Sequence, residues 1–176
     1  MNLSEQQSKM GKWMLIIAWI AGLGLLTLVF DEQLTEQFNP NRSPVSATSQ
    51  GVNSQQIIEV KLQQNRGGHY VISGQVNHQP VVFMLDTGAT HVSVPRHMAQ
   101  RLNLRAGTMY PVQTANGIIQ VAQTTIEQLS IGDIQLFNVA ASINPNDQSD
   151  EILLGMSALK RLEFTQKGKW LILRNL

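Results

Sequence analysis

Val81-Val82-Phe83-Met84-Leu85 is an unbroken apolar run that stops at Asp86-Thr87-Gly88. Pro80 bounds it upstream, and a short run of this kind reads as a buried strand. Downstream, His91-Val92-Ser93-Val94 returns to strand-like alternation before Pro95. A fold that buries the first strand must therefore hold a carboxylate, a hydroxyl and a glycine in a tight loop at its end, at the base of a cleft. Asp-x-Gly alone is ordinary turn chemistry, because Asp bonds its own backbone and Gly supplies positive φ. By composition the tripeptide would arise by chance in roughly a few per cent of chains of this length. Its setting between two strands carries the argument.

The N-terminal region has another chemistry. Trp13–Phe30 contains no charged residue and a single hydroxyl, Thr27. As a helix it spans roughly 27 Å, close to the thickness of a bilayer core. Lys9 and Lys12 precede it and Asp31, Glu32 and Glu36 follow, so the positive-inside rule puts the N-terminus in the cytoplasm. The expectation is a single-pass anchor at 13–30 in the inner membrane, with residues 1–12 cytoplasmic and the rest periplasmic. The rival is a cleaved signal peptide, whose apolar core is normally shorter and which needs a small-x-small cleavage site. Ala18-x-x-x-Gly22 would allow close helix approach, although a plain anchor carries such patterns too. From Asp31 to Gln56 the chain is rich in Gln, Asn, Ser, Thr and Pro, which predicts a flexible linker over 31–56.

Residues 57–176 are long enough for one domain. Ile57–Leu62 alternates, and His69–Val76 reads as a second strand, with Asn77-His78-Gln79 turning into the strand that ends at Asp86. Pro95–Leu102 reads as a short helix with Pro in its first turn. Asn116-Gly117 between extended runs is a strong hairpin signal. Gly132-Asp133 opens a strand through Ile143, Ile152-Leu153-Leu154-Gly155 is a short buried strand, and Met156–Leu162 is one or two helical turns. Lys167-Gly168 turns a closing hairpin. The chain has no cysteine, which removes disulfides, thiolate catalysis and cysteine zinc sites. A formal net charge of +1, with no basic run after the apolar segment, gives no reason to expect nucleic acid as partner.

Peptide hydrolysis by carboxylates needs two of them sharing one proton: one acts as base on water, the other as acid on the scissile carbonyl. This chain carries one Asp-Thr-Gly and no internal repeat. A second copy related by a two-fold axis would supply the partner, pairing Asp86 with Asp86′, so the mechanism itself requires a homodimer.

The order of these elements resembles the retropepsin family, the single-domain aspartic proteases of retroviral type, and above all its bacterial, membrane-anchored members. The resemblance rests on Leu85-Asp86-Thr87-Gly88-Ala89, Thr114-Ala115-Asn116-Gly117 and Leu153-Leu154-Gly155-Met156-Ser157, and covers about Gly68 to Leu173. It implies an all-β, closed-barrel acid-protease protomer with a flap hairpin and short helices, placed after one transmembrane helix. Asp86 would be the catalytic aspartate. Thr87 would bond across the dyad, Gly88 would donate N–H bonds to the carboxylates, and Ala89 would complete the loop. The Thr108–Gln123 hairpin, with Ala115, Asn116 and Gly117, would be a flap closing on substrate. Leu154 and Gly155 would pack beneath the loop. The partners implied are an extended peptide or protein substrate and a second copy, with no cofactor. Two features depart from the viral pattern. Thr90 stands where a second Asp is common, and the C-terminal hairpin Glu163–Leu173 is longer.

Other chemistries carry less. His69, His78, His91 and His97 share no ligand-like spacing, so no metal site is expected. Gly155-Met156-Ser157 lacks the Gly-x-Ser-x-Gly elbow of serine hydrolases. Asp133 and Asp150 read as solvated carboxylates. Two alternatives to a trans-acting endopeptidase stay open: a non-catalytic peptide-binding or assembly module on the same fold, and an enzyme that cuts its own linker.

Overall fold

The computed structural model describes residues 3–50, 56–114 and 117–176. The chain divides into two units, one through Gln37 and the other from Phe38 to Leu176. The first is helix α1 (Leu3–Phe38). Its stretch Lys12–Phe38 is long and apolar enough to cross a membrane by length and composition. Trp13, Trp19, Leu28 and Phe30 are all exposed, the pattern of a helix apolar on every side.

The expected linker over 31–56 requires correction. Helix α1 continues eight residues past Phe30, because Asp31–Phe38 holds no Gly or Pro and extends a helix already nucleated. It stops where Asn39 precedes Pro40, a position that disfavours helical backbone. Asn39 and Asn41 are then buried, and β1 (Ser46–Gln50) pairs antiparallel with β2 (Gln56–Gln63), Ser46 opposite Val60 and Gln50 opposite Gln56. The small polar residues of β1 bury little; it is held by its backbone ladder, which composition does not reveal. Within the expected linker, residues 51–55 lie outside the described residues.

The second unit is built of strands. It continues with β3 (Val71–Val76), β4 (Gln79–Leu85), β5 (Val92–Pro95), α2 (Arg96–Ala99), β6 (Met109–Thr114), β7 (Gly117–Ile131) and β8 (Ile134–Asn144). Then follow β9 (Glu151–Leu154), α3 (Met156–Leu159), β10 (Leu162–Lys167) and β11 (Trp170–Asn175). A four-stranded sheet runs β1-β2-β11-β10, and a seven-stranded sheet runs β3-β4-β9-β5-β8-β7-β6. Strand β3 also pairs with β7, Gln75 opposite Ser130 and Val76 opposite Leu129. That pairing closes six strands into a barrel and leaves β6 as the outer arm of a hairpin. Gly74 makes the closure possible, since a Cβ there would collide with Ser130 O and lie 2.7 Å from the Phe83 ring. The β3–β4 turn has Asn77 and His78 at φ 47° and 66°, the left-handed pair of a tight hairpin.

The barrel interior and the adjoining sheet share one apolar core. Phe83, Ile72, Ile126, Leu129, Ile152, Leu154, Leu159 and Leu173 are all fully buried. Strand β4, the apolar run of the sequence, lies between β3 and β9. It pairs parallel with β9, Phe83 opposite Ile152 and Leu85 opposite Leu154. Parallel pairing at the barrel centre sets the end of β4 beside the end of β9, and so fixes where Asp86 emerges.

Candidate active site

Asp86 is the first residue after β4 and is half-buried. Its backbone N–H donates to Leu154 O at 3.1 Å, extending the β4–β9 ladder by one bond. The loop then folds onto its own carboxylate: Gly88 N–H donates to Asp86 Oδ1 at 2.8 Å, and Ala89 N–H donates to Asp86 O at 3.3 Å. This is the Asx-type turn that short polar side chains favour, and it gives one carboxylate oxygen a fixed direction.

The far side of the loop is pinned from below. Met156 N–H donates to Ala89 O at 2.8 Å and Ser157 N–H donates to Thr90 O at 2.9 Å. Both donors belong to the first turn of α3, whose N–H groups have no partner within the helix. Gly155, just before α3, is buried. A Cβ there would strike His91 O and sit 2.7 Å from Ala89 O, so only glycine lets the β9–α3 corner approach so closely. Ser157 adds a tie that sequence reasoning missed. Its Oγ donates to Ala140 O on β8 at 2.7 Å and accepts from Val92 N–H on β5 at 3.0 Å. The sequence held a hint, a serine three residues after a buried strand, but without the strand order its two partners could not be named.

Above the loop lies a cleft of about 580 Å³, lined by Asp86, Gly88, Ala89 and Thr90 on one side and by Tyr110, Val112, Ile119 and Val121 of β6 and β7 on the other. Leu153, Ser142 and Asn144 also line it. Among the described residues lining the cleft, Asp86 is the one carboxylate. His91 stands at the edge, its ring edge-on to Tyr110 with centroids 6.4 Å apart. His91 was expected beside the loop and Tyr110 only as part of the 108–123 flap; their ring contact was not, because nothing local to either residue names the other as its partner.

The other expected site residues distribute as follows. Thr87 and Gly88 are exposed and Ala89 is half-buried. Leu154 is fully buried beneath the loop, opposite Leu85. The expected flap is the β6–β7 hairpin, paired from Met109–Ala122 to Thr114–Gly117, with Gly117 at φ 110°. Ala115 and Asn116 lie outside the described residues. His97 meets Asp150 at 3.4 Å on the surface. Among the described residues, no three His, Asp or Glu side chains group as metal ligands would.

Comparison with known proteins draws on the same region. The profile of a family described as gag-polyprotein putative aspartyl protease matches residues 72–161, from β3 through α3. The crystal structure of a retropepsin-like aspartic protease from Rickettsia conorii superposes with a TM-score of 0.58 at 30% identity, covering 74% of this chain and 96% of that one. An uncharacterized protein from the cobV 5' region of Sinorhizobium sp is 31% identical over 140 residues, 78% of this chain and 58% of its own length. An uncharacterized protein of Rickettsia prowazekii is 28% identical over 125 residues, 69% of this chain and 53% of its own. The chain therefore spans between half and three-fifths of these two relatives.

Proposed function

Because this chain belongs to the gag-polyprotein aspartyl protease family and has its retropepsin-like fold, we propose that it is a membrane-anchored aspartic endopeptidase, active as a homodimer. The observation that carries this reading is the single carboxylate among the described residues of the cleft, set on a loop braced by four backbone hydrogen bonds and one side-chain bond. A protomer offers half of a carboxylate pair. A two-fold axis passing beside the exposed Thr87 and Gly88 would bring Asp86 and Asp86′ together, with Thr87 bonding between the two loops.

The chemistry then follows from two like charges in one site. They cannot both ionise readily, so the pair holds one proton between them. The ionised Asp takes a proton from water as the water oxygen attacks the scissile carbonyl carbon. The protonated Asp donates to the carbonyl oxygen, giving a neutral gem-diol. As the C–N bond breaks, the carboxylic acid formed in the first step gives its proton to the leaving amine while the other carboxylate takes a proton from a gem-diol hydroxyl, and the pair is restored. No cofactor enters this cycle. The substrate would lie extended in the cleft beneath β6 and β7, adding its backbone to theirs, and hairpin closure would exclude water. Anchoring by 13–30, with the N-terminus cytoplasmic, would place the domain in the periplasm at the inner membrane.

The direct test is cleavage of a diverse unstructured peptide mixture by the full chain beside Asp86→Asn, with folding followed by circular dichroism. Wild-type cleavage, absent from a folded Asp86→Asn variant, is the expected result. Equal cleavage by both would sink the assignment. A folded wild-type dimer that binds peptides without cutting them would point instead to the peptide-binding module, which the single carboxylate among the described cleft residues of a protomer also suits.

A further inference from the structure

The residues that follow α1 are built into the barrel. Asn41 Nδ2 donates to Val71 O at 2.7 Å and to Gln63 O at 2.9 Å, and its Oδ1 accepts from Gln63 N–H at 2.7 Å. Its backbone oxygen accepts from Ser73 N–H at 3.2 Å. Asn39 Oδ1 accepts from Asn41 N–H at 3.0 Å, and Asn39 Nδ2 donates to Ser73 Oγ at 3.1 Å. Gln63 ends β2 in one sheet and Val71 opens β3 in the other. Asn41 thus ties the two sheets together where neither pairs with the other. Buried backbone groups require such partners, so the segment stays docked for as long as the domain is folded.

This docking sets how far the domain can stand from an anchor. Only eight residues, 31–38, separate the end of the apolar stretch at Phe30 from the docked Asn39. They span about 12 Å as helix and about 28 Å at full extension. A free linker over 31–56 would have reached about 90 Å. A domain of this size adds a diameter of about 40 Å. Resting on the membrane-anchored peptidase reading above, we propose that the substrates are membrane-anchored polypeptides that present an extended segment close to the bilayer surface. Two chains held in one membrane share a high effective concentration only where their heights overlap. That matters for a cleft that recognises backbone as well as side chains, a mode tolerant of sequence.

The experiment uses the full chain in phosphatidylethanolamine/phosphatidylglycerol vesicles. The probe is a single-span reporter carrying the sequence cut fastest from the soluble peptide mixture. Helical-repeat spacers set that sequence at about 20 Å or about 100 Å above the bilayer. A second enzyme carries a Gly/Ser insertion of about 40 residues between Gln37 and Phe38, outside the docked segment, and its cleavage of soluble peptide is the control for folding. The expected result is low-reporter cleavage about 10-fold or more faster than high-reporter cleavage by the wild type, falling to about 3-fold or less with the insertion. Equal rates on both reporters by the wild type would overturn the proposal. So would a preference that the insertion leaves unchanged, or failure to cut either reporter while soluble peptide is cut. Failure on soluble peptide itself would overturn the peptidase reading, a separate result that involves no membrane.

Discussion

Gly155 and Ser157 do for the loop what the Asp-Thr-Gly stretch cannot do for itself. A Cβ at 155 would press on Ala89 and His91 carbonyl oxygens, and backbone cannot swing aside as a side chain can. Gly155→Ala is expected to lower stability by about 1–3 kcal/mol through this overpacking, and to reduce cleavage further by displacing the loop. Urea denaturation beside peptide assays would check it, and an unchanged midpoint with full activity would remove the close-approach argument. Ser157→Ala deletes one donor and one acceptor, leaving Ala140 O and Val92 N–H without that partner. A loss of about 1–2 kcal/mol is expected. Ser157→Thr, which keeps the hydroxyl, should recover part of that loss.

At the scale of elements, the segment between α1 and β2 belongs to the domain. A chain beginning at Ile57 lacks β1 and the Asn41 bonds that join β2 to β3. Compared with one beginning at Phe38, it is expected to lose about 3 kcal/mol or more, several buried hydrogen bonds' worth. That corresponds to a thermal midpoint lower by about 8 °C or more. Equal midpoints for the two chains would show that the docked segment adds nothing. Reading 31–56 as linker failed because β1 is polar and its burial slight, so it carries no apolar alternation for periodicity to detect. The β6–β7 pairing was legible for the opposite reason, since two extended runs separated by Asn116-Gly117 announce a hairpin in the local sequence.

For the whole molecule, the proposed pair needs one Asp86 from each copy. Mixing wild type with Asp86→Asn in equal amounts, under conditions where subunits exchange, should leave wild-type pairs at about a quarter of all dimers. Activity near one quarter of the all-wild-type value is expected if one carboxylate per dimer is insufficient, whereas one half would mean that each protomer works alone. Activity per chain should also rise with dilution-sensitive dimer content, measured by sedimentation. A pair that works with one shared proton loses its acid as pH rises, so peptide cleavage should decline toward alkaline pH. A rate that climbs steadily into the alkaline range would speak against the dyad.

The sequence by itself determined the strand ending at Asp86, the loop chemistry after it, the hairpin turns and the apolar stretch of α1. Each is written in residues adjacent along the chain: an apolar run, an Asx turn, the Asn77-His78 pair of the β3–β4 turn, eighteen uncharged positions. Only the tertiary structure decided that β4 lies parallel to β9, that β3 meets β7 to close the barrel, that Tyr110 faces His91, and that Asn41 joins two sheets. Those pairings link residues far apart in the chain. The strand pairings run through backbone groups that every residue carries alike, and the Asn41 bonds and the Tyr110–His91 contact arise only between elements those pairings have placed. Side-chain pattern therefore marks which segments become strands, while the shared core and the need to satisfy each buried backbone group choose which strands meet.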